Sequence, residues 1–408
     1  MRILYLCHRI PYPPDKGDKI RAFHQLRALS ERHEVDVFTL VDDEADLAGQ
    51  SALAAYCRKL TVARIHSKLA RLRALPFLLT NAPLTIPYFY SSKLATEVME
   101  ALRRRTYDRI FVYCSAMAQY VAHARGIPVV TDLVDVDSDK WTQYAAARRF
   151  PFSALFRREG RLLSDYERRI CERSACVLVT TEREGQLALR ISPLARVRVV
   201  PNGVDANYFS PHAVPPEVGP PAVVFTGDMS YFPNEDAVTF FVREVLPQVR
   251  QTIPDVRFLI VGRNPSRKVR RLERTAGVQI TGFVPDVRPY FARARVAVAP
   301  FSMSAGIPNK ILEAMAYGLP VVATQRATQG LAPSVAEAIL IGQSPNELAS
   351  QIVLLIRDLA WGRRKGLEGR LRVAEEYSWE CALKRMLQII EDSVFPWCVS
   401  ANFQSSLA

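Results

Sequence analysis

The sequence predicts an α/β protein of two doubly wound lobes, each a parallel sheet covered by helices on both faces. Three observations lead there. Short β-branched runs alternate with amphipathic stretches along the whole chain, the pattern of doubly covered parallel sheets. The alternation breaks once, at Ser210–Pro221 (SPHAVPPEVGPP), which has five prolines and no apolar period. And 408 residues exceed what one ordinary hydrophobic core holds.

In the first series Ile3–Cys7 reads as a strand, and Lys19–Arg32 as a helix with Ile20, Phe23, Leu26 and Leu29 on one face. Val35–Leu40, Arg109–Tyr113, Ile127–Thr131 and Cys176–Thr180 follow as strands between helical segments. The second series opens with strand Ala222–Thr226 and helix Asn234–Leu246, which Pro247 is expected to end. Strands Arg257–Val261, Val278–Thr281, Val296–Pro300 and Val321–Thr324 come next. The expected domains are 1–207, a linker at 208–221, a second lobe at 222–376, and a tail at 377–408 whose helix Trp379–Glu391 returns to the first lobe. In open parallel sheets ligands sit beyond the carboxyl ends of the strands, where helix N-termini favour phosphate. Two such sheets facing each other place the chemistry in the cleft between them.

Composition narrows the class. Hydrophobic residues make up 49% and charged residues 23%, as in globular rather than disordered chains. The apolar run Ile3–Cys7 is too short for a signal peptide and runs into charge and proline. No segment reaches the roughly 18 apolar residues of a membrane span; the nearest, Leu75–Tyr90, is broken by Pro76, Asn81, Pro83 and Pro87. Seven irregularly spaced cysteines read as reduced thiols of a cytoplasmic protein, and no zinc site is expected. The net charge of +13 suits an anionic partner. Arg148–Arg173 carries eight arginines with apolar residues between them, and the basic Arg58–Arg73 runs into LPFLL. No nucleic-acid-binding motif accompanies them, so a phosphorylated ligand or an anionic membrane surface is expected rather than nucleic acid.

The segment Phe301–Thr324, FSMSAGIPNKILEAMAYGLPVVAT, carries most chemical information. Gly306 supplies a turn, Pro308 suits a first helical position, and Gly318 ends the helix. Ile311, Leu312, Met315 and Ala316 form a buried stripe, which leaves Asn309, Lys310, Glu313 and Tyr317 on the other face. Lys310 and Glu313, three apart, are neighbours: a cation near a helix N-terminus meets a diphosphate, and a carboxylate one turn on accepts from ribose hydroxyls. An ordinary surface Lys–Glu pair has the same local pattern.

This segment resembles the donor-binding segment of retaining GT-B glycosyltransferases of family four. RVRVVPNGVDANYF, FLIVGRNP, ITGFVPDV and YSWE resemble further segments of that family in the same order. PPDKGDKIR, VDVDSDKW and FTGDMSYFPN look closest to the sugar transferases associated with exosortase and exopolysaccharide systems. The resemblance implies two Rossmann-like domains facing across a cleft. It also implies a hexosyl transfer from a nucleoside diphosphate sugar to a glycan hydroxyl, the acceptor being lipid-linked, with no metal and no cofactor beyond the donor.

Carried over residue by residue, Glu313 matches the Glu that holds the donor ribose, and Gly306 and Ile307 the loop whose backbone faces the sugar. Gly262, Arg263, Phe283 and Val284 match segments around the nucleobase, and Gly17 the loop over the diphosphate. Gly227 and Asn309 complete the expected donor-binding set. Three positions depart from the pattern. Ala305 stands where the first Glu of a pair belongs, and Asp228 after Gly227 where a basic pair is usual. Val134–Asp135 replaces the family's catalytic His–Asp. Lys310 is therefore expected to supply the missing cation, and Asp135, or Asp137 or Asp132, the polar group of the first-lobe wall. An epimerase of the same fold and a catalytically silent nucleotide-sugar-binding homologue remain as alternative readings. His8 and His24, like Trp141 and Tyr144, read as packing residues, and DLVDVDSD lacks the glycine and terminal Glu of a calcium loop.

Overall fold

A computed structural model of the chain describes residues 1–14, 17–104, 106–211, 219–303 and 307–392. Among these, the first lobe holds seven strands: β1 (Arg2–Cys7), β2 (Glu34–Val41), β3 (Lys59–Arg64), β4 (Arg109–Tyr113), β5 (Val129–Val134), β6 (Cys176–Val179) and β7 (Val197–Val199). They form one sheet in the order β3-β2-β1-β4-β5-β6-β7, parallel throughout. The second lobe holds β8 (Ala222–Thr226), β9 (Arg257–Val261), β10 (Val278–Gly282), β11 (Ala294–Ala299), β12 (Val321–Ala323) and β13 (Leu340–Ile341). Their order, β10-β9-β8-β11-β12-β13, repeats that of the first sheet. Each sheet reverses its winding once, between β1 and β4 and between β8 and β11, and a doubly wound sheet opens its ligand crevice at that reversal. The central strands bury both faces, which is why they read as continuous apolar runs rather than alternations.

Helix Gly17–Ser30 packs Ala22, Phe23, Leu26 and Leu29 into the first core. It also buries Lys19 and Arg21, which are paired: Lys19 Nζ lies 2.7 Å from Asp46, and Arg21 Nε donates to Asp132 at 2.8 Å. Helix Trp379–Glu391 follows the second lobe in sequence but lies on the first. Its Trp379, Leu383, Met386 and Ile390 join the same core as Ile3 and Phe23. Trp379 stacks on His24 with ring centroids 4.3 Å apart. A Cβ on Gly203 would meet the Trp379 ring at 2.5 Å, so the crossing strand must approach as bare backbone.

Pro247 does not end a helix. The helix Phe232–Phe240 continues through a π-turn, Phe241–Val245, into a second helix, Leu246–Thr252, with Pro247 in its first turn. The wider turn takes up the missing N–H and the ring clash that would otherwise break the run. β5 lies later in the chain than the apolar run at Ile127 suggests, which brings Asp132 into the strand.

Candidate functional site

The second-lobe wall is built where β8 and β9 end. Gly227 and Gly262 follow them with φ of 151° and 145°. A Cβ on Gly262 would stand 1.7 Å from the Gly227 carbonyl oxygen, and one on Gly227 would stand 2.7 Å from Lys310 Nζ. Only glycine allows the two backbones to meet and leave room for the ammonium beneath. Lys310 Nζ donates to Asn234 Oδ1 at 2.7 Å and sits 3.9 Å from the Phe225 ring centroid and 5.0 Å from that of Phe301. Burial brings its pKa down to about 7, Glu313 opposing; burial also pushes Glu313 up to about 7, Lys310 opposing. Each member of the pair is thus held near the edge of its charged state.

Both side chains come from helix Asn309–Tyr317, capped by Pro308 and closed by Gly318 in the left-handed conformation (φ 87°). Pro308 therefore precedes the first helical residue. Ile311, Leu312, Met315 and Ala316 are buried, and Lys310 and Glu313 are half-buried on the face away from them. Ile307 is packed into the second-lobe core, so its backbone, not its side chain, is left for a ligand. Gly306 and Ala305 lie outside the described residues.

Arg263 lies 3.3 Å from Asp228, and Asn264 (φ 54°) donates to the same carboxylate at 3.2 Å. Beyond Gly282 (φ 70°), Phe283 is 68% exposed while Val284 packs against the core. A bare ring beside a backbone turn is a stacking platform for a planar group.

The first-lobe wall meets this one at Gly17, where a Cβ would lie 3.4 Å from Asn309 Nδ2. Gly17 opens a 14-residue helix and Asn309 a 9-residue helix, so two helix N-termini converge at the cleft. The positive ends of their dipoles favour negative charge there, while the N–H of Lys19 already donates to the Asp18 carboxylate at 3.0 Å and that of Ile311 to the Pro308 carbonyl at 2.9 Å. A buried chain of hydrogen bonds fixes the juxtaposition. Asn202 Nδ2 donates to Asn309 Oδ1 at 3.1 Å, and Asn202 Oδ1 accepts from Arg21 at 3.2 Å. Arg21 donates to Asp132, which also accepts from Gln25 at 2.5 Å.

Asp135 follows Val134, whose φ of 66° marks a strained turn at the end of β5. Its carboxyl pKa is raised by burial, with Asp137 and Asp132 adding and Lys140 and Arg21 opposing. Lys140 is held above the usual lysine range, because Asp137, Tyr231 and Asp135 together outweigh its burial. Tyr231 belongs to the second lobe, as does Phe232, which meets Tyr144 edge-on at 6.2 Å and Arg148 at 4.2 Å. The helix Asp137–Ala146 that follows Asp135 thus faces that second-lobe loop.

The remaining aspartates of DLVDVDSD go separate ways. Asp132 pairs with Arg21, Asp137 accepts from Ser115 at 2.9 Å, and Asp139 pairs with Arg183 at 2.7 Å. Among the described residues no three His, Cys, Asp or Glu converge in a metal-holding arrangement. His8, read as packing, also faces a carboxylate. It stacks on Tyr113 and lies 3.4 Å from Asp18, the residue after Gly17. Cys114 and Asp18 raise its pKa to about 10 against burial. Tyr113 donates to the Asp18 carbonyl at 2.8 Å, so the Gly17 turn rests on a charged, braced floor. The pairing was invisible in sequence, where His8 and Asp18 sit in different elements.

Residues 220–358 match the family described as Glycosyl transferases group 1, and residues 19–203 the Glycosyl transferase 4-like domain. Over 226 residues the chain is 27% identical to a phosphatidylinositol N-acetylglucosaminyltransferase component of Arabidopsis thaliana, covering 52% of this chain and 48% of that one. A glycogen synthase of Mycobacterium tuberculosis is 25% identical over 212 residues, 48% of each chain. The chain thus spans about half the length of the curated relatives it matches. Among solved structures, sucrose-phosphate synthase of Thermosynechococcus elongatus superposes with TM-score 0.70 at 20% identity, covering 96% of this chain and 98% of that one. Anabaena HepE, solved in complex with UDP-glucose, superposes with TM-score 0.65 at 17% identity over 96% and 99%. At these identities the structural likeness is one of fold.

Proposed function

We propose that this chain, which belongs to the glycosyl transferases, moves a hexosyl unit from a nucleoside diphosphate sugar to a glycan hydroxyl, with retention at the anomeric carbon. The observation that carries this reading is the convergence of the Gly17 and Asn309 helix N-termini beside Lys310. As the bond to the sugar breaks, the leaving diphosphate gains negative charge and the sugar ring gains positive charge. Fixed N–H groups and an ammonium on two sides of the diphosphate stabilise the first. Glu313 takes the ribose hydroxyls, and Arg263 and Val284 flank the nucleobase while Phe283 stacks on it. Gly227 and Gly262 keep the wall thin enough for the phosphates to reach Lys310. Asp135 is the polar group on the acceptor-side wall. No metal enters the scheme. HepE was solved with UDP-glucose, which makes UDP-sugars the first donors to test. The glycan belongs to exopolysaccharide or cell-surface polysaccharide synthesis at the cytoplasmic side of the membrane.

Incubation with a panel of nucleotide sugars, resolved by chromatography and mass spectrometry, tests the reading. Transferred or hydrolysed sugar is expected. An isomerised donor would make the protein an epimerase, and binding without turnover a silent homologue. The anomeric configuration of the product, by NMR, tests retention.

A further inference from the structure

The two basic, apolar stretches are far apart in sequence but adjacent in space. Arg158, in helix Phe152–Arg173, donates to the carbonyls of Phe77, Thr80 and Ala82. Its neighbour Glu159 accepts from the backbone N–H of Leu84 and of Thr85, each at 2.8 Å. This clamp holds the segment after Arg73 against the start of the long helix. The result is one ridge, and its apolar side chains face outward. Helix Ser67–Ala74 buries Ala70 and Ala74 and leaves Leu69 and Leu72 exposed. Leu79 is 94% exposed and Phe150 83%. Ordinary surfaces scatter such residues singly; here exposed Leu69, Leu72, Leu75, Phe77, Leu78 and Leu79 crowd one short segment.

Charge surrounds them. From Arg58 to Thr96 and from Lys140 to Arg158 the sequence has no acidic residue. Lys68, Arg71, Arg149 and Arg157 are exposed and form no ion pair among the described residues. A protein partner with an acidic groove would match the charge alone. A bilayer with anionic headgroups matches both features, since leucine and phenylalanine enter the acyl boundary while arginine and lysine stay at the phosphates. The ridge also leads to the cleft. Phe152 lies 6.3 Å from Phe156, Phe156 lies 5.1 Å from Trp141, and Tyr144, one turn on from Trp141, faces Phe232 across the lobes.

We propose that this ridge seats the protein on an anionic lipid bilayer, with the Phe152–Phe156–Trp141 row guiding the lipid tail of a membrane-borne acceptor towards the cleft. The seating rests on the ridge alone; the acceptor path rests on the transferase reading. No helix among the described residues is long and apolar enough to cross a membrane, so the contact is peripheral.

Vesicle sedimentation of the full chain tests the seating, with vesicles of phosphatidylcholine alone and of phosphatidylcholine mixed with phosphatidylglycerol. Binding to the mixed vesicles only, weakening with salt, is expected. Arg149→Glu and Arg157→Glu should each weaken it by more than about 5-fold, because each removes one positive charge and adds a negative one. Leu72→Glu with Leu79→Glu should abolish it. All four side chains are exposed, so the thermal transition and nucleotide affinity should stay unchanged, which separates lost seating from lost folding. Equal binding to both vesicles, no binding to either, or a dimer dissolved by the leucine variants in place of vesicle binding would each overturn the proposal. Donor hydrolysis measured without vesicles keeps that failure distinct from failure of the transferase reading. For the path, Phe156→Ala should lower transfer to a lipid-linked acceptor several-fold while leaving donor hydrolysis intact; equal loss of both would overturn it.

Discussion

Replacing Lys310 by methionine removes one charge from the wall while keeping most of the side chain's volume over Phe225. In the free protein burial draws its pKa down to about 7 against the opposing pull of Glu313. A diphosphate placed against the ammonium raises that pKa again, so binding above pH 7 must take up a proton. At pH 8 a group with pKa 7 is about nine-tenths neutral, so Lys310 should take up about 0.9 of a proton when the nucleoside diphosphate binds. Affinity for the diphosphate should then fall by up to about tenfold per pH unit above 7. Glu313 works in the opposite direction: its pKa is raised to about 7, so its carboxylate forms and nucleoside binding improves as pH rises through that value. The ratio of diphosphate to nucleoside affinity cancels this common factor and isolates Lys310. Calorimetry in two buffers of different ionisation enthalpy counts the protons. Lys310→Met should lose about 10- to 150-fold in that ratio, the worth of a charge-assisted hydrogen bond, together with the proton uptake. Because Lys310 also lowers the Glu313 pKa, the nucleoside control belongs at pH 8.5, where Glu313 is ionised more fully. Wild-type affinity and proton count in Lys310→Met would rule Lys310 out as the diphosphate's cation and leave the diphosphate to backbone N–H groups.

Glu313→Gln should weaken nucleoside and nucleoside diphosphate alike, by about 10- to 150-fold, since both carry the ribose; calorimetric titration of the two ligands checks it. Asp135→Asn should lower turnover with nucleotide affinity nearly unchanged, read as kcat against Kd, whereas a matching loss of affinity would move Asp135 to the donor site. Asp132→Asn leaves Arg21 buried without its carboxylate and should cost about 3–5 kcal/mol in urea unfolding; a loss under 1 kcal/mol would mean that the network is not structural.

The fold class was legible because the central strands bury both faces and so read as continuous apolar runs. β8 and β9 run over the residues their apolar runs suggest, Ala222–Thr226 and Arg257–Val261. β3 was hidden because Lys59–Arg64 is a half-covered edge strand with basic residues at both ends. β5 was displaced because its buried Asp132 reads as a loop residue until its partner Arg21, 111 positions away, is known. The same limit applies to the site. The nearness of Lys310 and Glu313 follows from helical spacing, whereas the bond between Asn202 and Asn309 spans 107 residues and depends on how the two lobes meet. Local pattern carries the first kind of contact and says nothing of the second. The glycines stand between these cases: Gly227 and Gly262 are visible as turn residues, but their mutual backbone approach is a tertiary fact.

The proposed donor site places a nucleoside diphosphate between the two converging helix N-termini. The direct test is a crystal structure of the chain with a nucleoside diphosphate sugar. Phosphate oxygens should lie within hydrogen-bond distance of the backbone N–H groups at Gly17 and Asn309 and of Lys310 Nζ, with the ribose hydroxyls on Glu313. A diphosphate bound elsewhere, with Lys310 still on Asn234 and Glu313 unliganded, would contradict it.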